Sequence, residues 1–429
     1  MGGTQTRPKR RALAGVTGVA AIVLAAAACS SSSTSSTAAT SGSSPSGAAA
    51  ASGSSNSAAS GTPVNVGMVY EKTGIYSAYA TEYQQGFNIG LAYATSGTDA
   101  VNGHPVNVTW DDDADSATTA VTDFKSLVGA GDKIIAGSID SGIATQLAPL
   151  AAQNQVLFVS GPAAADQITG INKYTFRSGR QTYQDVEAAK SFVASKGAGR
   201  SIVVLAQDYA FGQSYVTDAQ KVFGAIGDKV TPVLVPLSTT NFTPTALTVK
   251  ADKPSLVFLA WAGTTGAALA QALDQQGVFN STSVVTGLAN IATYPFYGAA
   301  GAKFDYLSLY FYQASNNAAN QYLISQMKAK YNAVPDLFAP DGFVAAQMIV
   351  HAIQAGGGTD VNGMINALSS WTFLAPKGEQ TIRASDHAML QPMYQAKLTE
   401  VSATDFTPSL VTTLPNAATS PAVAANFAG

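Results

Sequence analysis

The chain has 429 residues, 46% of them hydrophobic and 11% charged, with a formal net charge of −3. That length holds more than one domain and ample core. Such low charge excludes a coiled coil or a charged disordered chain, and no basic cluster lies beyond the first eleven residues to serve a nucleic acid. One cysteine, Cys29, and three scattered histidines, His104, His351 and His387, offer no metal-ligand spacing. No metal, cofactor or nucleic-acid partner is expected.

In chain order, residues 1–28 read as an export signal: Arg7, Lys9, Arg10 and Arg11 precede an apolar, alanine-rich run that stops at Cys29. The small residues before Cys29 resemble a bacterial lipobox, with Ala26 where leucine is more usual. The resemblance implies lipidation at Cys29 and attachment to the outer face of the cytoplasmic membrane. Removing four basic groups takes the net charge from −3 to −7. Residues 29–62 read as a flexible tether, because beyond Cys29 they hold only Ser, Thr, Ala, Gly, Asn and one Pro, and the lipobox resemblance implies that the tether is lipid-anchored.

From Pro63 short β-branched runs alternate with segments of helical period. Strands are predicted over Val64–Val69, Val106–Trp110, Lys133–Ala136, Val156–Ser160, Ser201–Ala206, Val230–Val235, Ser255–Leu259, Val284–Thr286 and Tyr306–Phe311. Helices are predicted over Glu82–Thr95, Ala117–Val128, Ile143–Ala152, Gln184–Ser195, Gly212–Phe223, Gly266–Gln275, Ala319–Tyr331, Phe343–Ala355 and Val361–Leu368. The alternation implies α/β architecture with parallel sheets, in more units than one sheet needs, hence two lobes. Ligands of such sheets sit beyond the carboxyl ends of the strands. Residues 401–429 lack periodicity, carry three prolines and read as an extended or mobile tail.

Six segments in fixed order carry a family resemblance: residues 64–94 with a Thr-Gly turn, 101–121 with an acidic strand end, 134–166, 174–189, 202–215 and 377–394. Together they resemble the leucine/isoleucine/valine-binding proteins, the substrate-binding lipoproteins of ABC importers. The resemblance implies the type I periplasmic-binding-protein fold, two Rossmann-like lobes joined by a three-strand hinge. It sets lobe one at 63–179 plus 312–371 and lobe two at 180–311 plus 372–400. It implies a monomer that traps a small molecule between its lobes, hands it to an ABC permease and performs no catalysis. A sensor subunit for a membrane signalling protein is the alternative. No Gly-x-Ser-x-Gly elbow, P-loop or dinucleotide fingerprint is present to support an enzyme.

Candidate ligand contacts follow. Ser141 precedes a predicted helix, whose N-terminus attracts a carboxylate, and the resemblance matches it to a ligand-contacting serine. By resemblance Ala163 offers a carbonyl and Ala165 an amide, without the hydroxyl that relatives carry at the latter. Tyr79, Phe211 and Trp261 are expected to wall the cleft. Arg180 is a candidate fork for a carboxylate. Asn290 and Asp341 are the candidate polar groups where amino-acid receptors have a glutamate for the ligand ammonium. The matching position, Ala289, has no acid, which weighs against a zwitterion. Asp111, Asp112, Asp113 and Asp115 lack the glycine and glutamate of a calcium loop and read as a solvated strand end.

Overall fold

A computed structural model describes residues 60–195, 197–295, 297, 309–402 and 405–424. The expected signal, Cys29 and the expected tether up to residue 59 lie outside the described residues. Two parallel sheets dominate. The first has the order β2-β3-β1-β4-β5-β6. Its strands are β1 (Val64–Tyr70), β2 (Ala100–Val101), β3 (His104–Asp112), β4 (Ile134–Ala136), β5 (Leu157–Ser160) and β6 (Thr175–Arg177). The second has the order β10-β9-β7-β8, from β7 (Ser201–Gln207), β8 (Lys229–Val235), β9 (Leu256–Ala260) and β10 (Ser283–Thr286). Central strands are covered on both faces, so β5 and β9 are buried at every position. The exposed edge strand β8 carries Pro232, which cannot donate to a further strand.

Helices α1 (Ser77–Ala94), α2 (Ala117–Gly129) and α3 (Ser141–Asn154) follow strands of the first sheet. Helices α4 (Thr182–Ala194), α5 (Ala210–Gly224), α6 (Thr243–Ala251), α7 (Gly266–Gln275) and α8 (Val278–Ser281) serve the second. The chain then returns as α9 (Ala318–Tyr331), α10 (Ala339–Gly356) and α11 (Val361–Leu368). Ile89 of α1, Leu323 and Met327 of α9, and Phe343 of α10 share one apolar cluster on the first-sheet side. Helix α6 has no expected counterpart in the sequence reading. The predicted strand Tyr306–Phe311 falls partly on residues outside those described, and Leu309–Phe311 are not strand.

A third, antiparallel sheet joins β11 (Thr372–Ala375), β12 (Gly378–Ile382) and β13 (Met389–Leu390). It lies against the first-sheet side. Gln347 of α10 donates to the Leu374 carbonyl at 3.0 Å, and the His387 ring stacks on Phe176 at 3.7 Å. By contrast β14 (Met393–Ser402) lies against α4, where Gln395 donates to the Ala188 carbonyl at 2.6 Å. The last change of side therefore comes after Leu390 rather than at 371/372. Residues 405–414, expected as tail, form β15 (Asp405–Leu414), which pairs antiparallel with β14.

Helix α1 meets α10 closely because Gly86 and Gly90 share one helical face. A Cβ at Gly86 would strike the Ala339 backbone, and one at Gly90 would come 2.6 Å from the Phe343 Cα. Gly342 repeats the device from α10, against the backbone of Tyr83. Gly86→Ala is expected to destabilise the protein by about 1–3 kcal/mol through overpacking, read as a lower denaturation midpoint in urea.

Candidate functional site

Parallel sheets open at the point where successive connections leave in opposite directions. In the first sheet that point lies between β1 and β4, and in the second between β7 and β9. The residues just beyond these strands converge on one inner cleft. Tyr76 and Tyr79 follow β1, Ile139 follows β4, Pro162 and Ala164 follow β5, and Arg180 follows β6. From the second sheet come Tyr209 and Phe211 after β7, Ala262 after β9 and Leu288 after β10, while Phe338 closes the wall ahead of α10. With the rings this close, the free inner space is only about 10 Å³, roughly the room of one water. It adjoins an outer space of about 260 Å³ that Tyr79, Gly263, Thr264 and Asn290 help to line.

The cleft is closed by direct contacts. Gly263 donates its amide to the Tyr79 hydroxyl at 3.3 Å, and Thr264 donates to the Ile75 carbonyl at 3.2 Å. Gly263 has φ +80°, where a side chain would be strained. Tyr79 is held edge-on to Phe338 at 4.8 Å, and Phe211 edge-on to Tyr215 at 4.8 Å. The two expected aromatics Tyr79 and Phe211 thus do face the cleft.

Arg180 is 2% exposed, not a solvated hinge residue. Its Nε donates to Asp185 at 3.0 Å and its Nη1 to the Pro162 carbonyl at 3.0 Å. Its Nη2 is buried and has no hydrogen-bond partner. Burial opposes its charge, but Asp185, Tyr215 and Asp341 together raise the guanidinium pKa, so it stays protonated. Arg180 is the sole charged side chain among the described residues lining the inner cleft. Behind it lie Asp341, pushed up to about 6 by burial against the pull of Lys377 and Arg180, and Lys377, brought down to about 8 by burial.

Other expected contacts are placed elsewhere. Trp261 turns into the second sheet's core: its ring lies edge-on to Phe242 at 5.4 Å, and its Nε1 donates to Thr265 at 3.0 Å. The cause is strand alternation. Val257, Leu259 and Trp261 share one apolar cluster, whereas Phe258, Ala260 and Ala262 belong to the other, which leaves Ala262 in the cleft. Asp341 lies in the first turn of α10, near Gly179, and does not line the cleft. Asn290 lines the outer space but is engaged in a turn, its Oδ1 accepting from the Thr293 amide at 3.0 Å.

Ser141 is buried, and its Oγ accepts from the amides of Ala164 and Ala165 at 3.1 and 3.2 Å. The Ala165 amide is thereby taken up by Ser141, and Ala163 is buried with Ala144 and Ile168 away from the cleft lining, where Ala164 stands instead. Nor is the α3 N-terminus open to an anion. Asp140 caps it, accepting from the Gly142 amide at 2.5 Å and the Ile143 amide at 3.0 Å. The acidic strand end is not simply solvated either. Asp113 is buried, and desolvation followed by the charge of Glu71 pushes it up to about 9. Glu71 itself is pushed up to about 7 by burial while accepting from Ser138 and the amides of Ile139 and Asp140. Among the described residues no group of three or more His, Cys, Asp or Glu could hold a metal ion.

The sequence reading missed Tyr76, Tyr209, Phe338, Ile139, Leu288, Ala262, Pro162 and Ala164. Position after a strand was the available signal for all but Phe338, and an aromatic in the Asp208–Gly212 turn marked Tyr209.

A family model for periplasmic binding proteins matches residues 63–404. The chain belongs to the periplasmic binding protein family. It is 23% identical over 313 residues to Leu/Ile/Val-binding protein homolog 3 of Brucella melitensis, covering 71% of this chain and 82% of that one. It is 26% identical to the leucine-, isoleucine-, valine-, threonine- and alanine-binding protein of Pseudomonas aeruginosa, covering 65% and 74%. Among solved structures, an ABC-type branched-chain amino acid transporter from Rhodopseudomonas palustris matches with TM-score 0.69 and 28% identity, over 85% of this chain and all of that one. An ABC-transporter solute-binding protein from the same species, in complex with p-hydroxybenzoic acid, matches with TM-score 0.75 and 22% identity, over 82% and 97%. The fold is that of type I periplasmic binding proteins, and the chain is a solute-binding protein of the ABC-transporter kind. The family works outside the cytoplasm, and no helix among the described residues is long and apolar enough to cross a membrane.

Two substitutions separate wall from core in this binding protein. Trp261→Ala is expected to cost about 3–5 kcal/mol of stability, read by urea denaturation. Tyr79→Phe removes one hydrogen bond across the cleft and is expected to weaken closure by about 1 kcal/mol, read as roughly fivefold weaker ligand affinity with little change in unfolding.

Proposed function

We propose that this chain captures a small monoanionic organic acid with an aromatic or apolar body and delivers it to an ABC importer. The single observation that carries the ligand class is Arg180, which lines the inner cleft with its Nη2 buried and unpartnered and with no other charged residue in the lining among the described residues. A carboxylate satisfies such a donor with a charge-assisted bond, worth about 1.5–3 kcal/mol. The surrounding rings of Tyr76, Tyr79, Tyr209, Phe211 and Phe338 supply apolar area for the rest of the ligand. Among the described residues no acid lines either space to receive an ammonium, and Ala289 is buried in the second sheet's core. The solved relative holding p-hydroxybenzoic acid supports the same chemistry. Ligand binding favours the closed arrangement because only that arrangement puts Tyr79 and Phe211 on one molecule.

In this reading the protein is a monomer anchored through lipidated Cys29 on the outer face of the cytoplasmic membrane, with the permease as partner. Labelling with radioactive palmitate should be lost in Cys29→Ala; a variant that still labels would remove the anchor from the reading.

The ligand class is tested by thermal shift of the purified full chain against benzoate, 4-hydroxybenzoate and leucine. A ligand at a hundred times its dissociation constant adds about 2.7 kcal/mol. Stabilisation by the aromatic acids and none by leucine is expected, and Arg180→Lys should bind the acids at least tenfold more weakly. A response to leucine with none to either acid would overturn the assignment.

A further inference from the structure

Beside the first crossing between the sheets, at residues 178–181, two carboxyl groups meet from opposite sides. Asp166 belongs to the turn that follows β5, the same loop that supplies Pro162 and Ala164 to the cleft. Asp218 lies on α5, two turns beyond Phe211. Both reach one hydroxyl: Thr182 Oγ1 is 3.0 Å from Asp166 Oδ1 and 2.6 Å from Asp218 Oδ2. Ser214 of α5 joins them, its Oγ 2.5 Å from Thr182 Oγ1 and accepting the Asp166 amide at 3.1 Å. The Tyr183 amide donates to Asp166 Oδ1 at 3.2 Å. Thr182 is fully buried and Asp218 is 5% exposed. Thr182 has one proton, so it can donate to only one of the two carboxyls at a time. Two charged carboxylates this close repel, and they hold together when one proton lies between them.

We infer that the Asp166–Asp218 pair is a proton-dependent clasp that holds the two sheets closed over the ligand. This rests on the reading of the chain as a cleft-closing binding protein, and it adds control of that closure by pH. The groups facing the pair decide which acid carries the proton. Arg177 of β6 faces Asp166 and favours its ionised form, although burial raises this carboxyl overall. Asp218 is pushed up to about 8, by burial first and by Asp166 second, against the weaker pull of Lys221. From α4, Tyr183 and Glu187 also face this region, and the Lys221 ammonium lies over the Tyr183 ring at 5.3 Å. Asp218 is thus the donor and Asp166 the acceptor.

The sign follows from linkage. Closure raises the proton affinity of Asp218, because it adds the Asp166 carboxylate and further burial to its surroundings. Closed-state stability is full at low pH and is lost as pH rises through about 8. Between about pH 4, the ordinary carboxyl value, and about 8 the closed-to-open ratio falls by roughly tenfold per pH unit at most.

The test is small-angle scattering of the ligand-free full chain at pH 6 and pH 9, so its outcome does not depend on knowing the ligand. The radius of gyration of the wild type should rise on going to pH 9. Asp218→Asn, whose amide donates to Asp166 without titrating, should keep the smaller radius at both values, with a melting transition confirming that it folds. Ser214→Ala keeps the carboxyl pair and should still expand at pH 9. An unchanged wild-type radius, an Asp218→Asn variant that expands as the wild type does, or a Ser214→Ala variant that no longer responds would each overturn the clasp. Failure of the proposed ligand class would appear only in the thermal-shift panel and would leave these radii as they are.

Discussion

A guanidinium taken out of water must find its charge and its five donors compensated by protein. Arg180 sits where the first crossing leaves the first sheet, and its needs organise what surrounds it. Asp185 supplies the opposite charge from the first turns of α4, and the Pro162 carbonyl binds it to the loop after β5. Asp341 and Lys377 add a further pair of opposite charges behind it. Two cations and two acids make this buried cluster neutral as a whole. The Nη2 group is left without a hydrogen-bond partner, and Arg180 lines the inner cleft.

The rest of the site is built to keep that donor dry and aimed. Rings from both sheets surround it, and small residues such as Ala164 and Ala262 let them approach. The loops themselves are held by bonds that never touch the cleft. Ser141 binds the amides of the loop after β5, Asp140 caps α3, and Glu71 gathers the amides of Ile139 and Asp140. Residues that a family resemblance assigns to ligand contact therefore serve here as supports for the contact surface. A support of this kind is invisible in a list of lining residues, yet it fixes where Pro162 and Ala164 stand.

Closure adds few bonds, and each is weak in isolation. The amides of Gly263, Thr264 and Asp166 each find an acceptor across the cleft. Such bonds contribute about 0.5–1.5 kcal/mol each. An equilibrium balanced by terms of that size is one that a ligand, or a single proton, is able to shift. The buried acids Glu71, Asp113 and Asp218 all have raised pKa values because burial outweighs their hydrogen bonds.

The sequence determined the alternation of strands and helices, because period two and period 3.6 are local properties of the chain. It determined the loops that carry the site, since in parallel sheets these follow the strands' carboxyl ends, and it singled out Tyr79, Phe211 and Arg180 within them. It did not reveal β11–β15 or α6, whose short or exposed runs carry no strong period. Which way each loop residue points was decided by tertiary structure. Trp261 and Ala262 are neighbours in sequence, yet strand alternation sends one to the core and the other to the cleft. The α3 N-terminus carries a serine that reads as an anion site, but the adjacent Asp140 folds back to occupy it. Asp166 and Asp218 are 52 residues apart, and nothing local marks them as partners. Only the packing of α5 against the loop after β5 brings the two carboxyls to one hydroxyl, because contact across a cleft depends on the whole chain path and not on spacing.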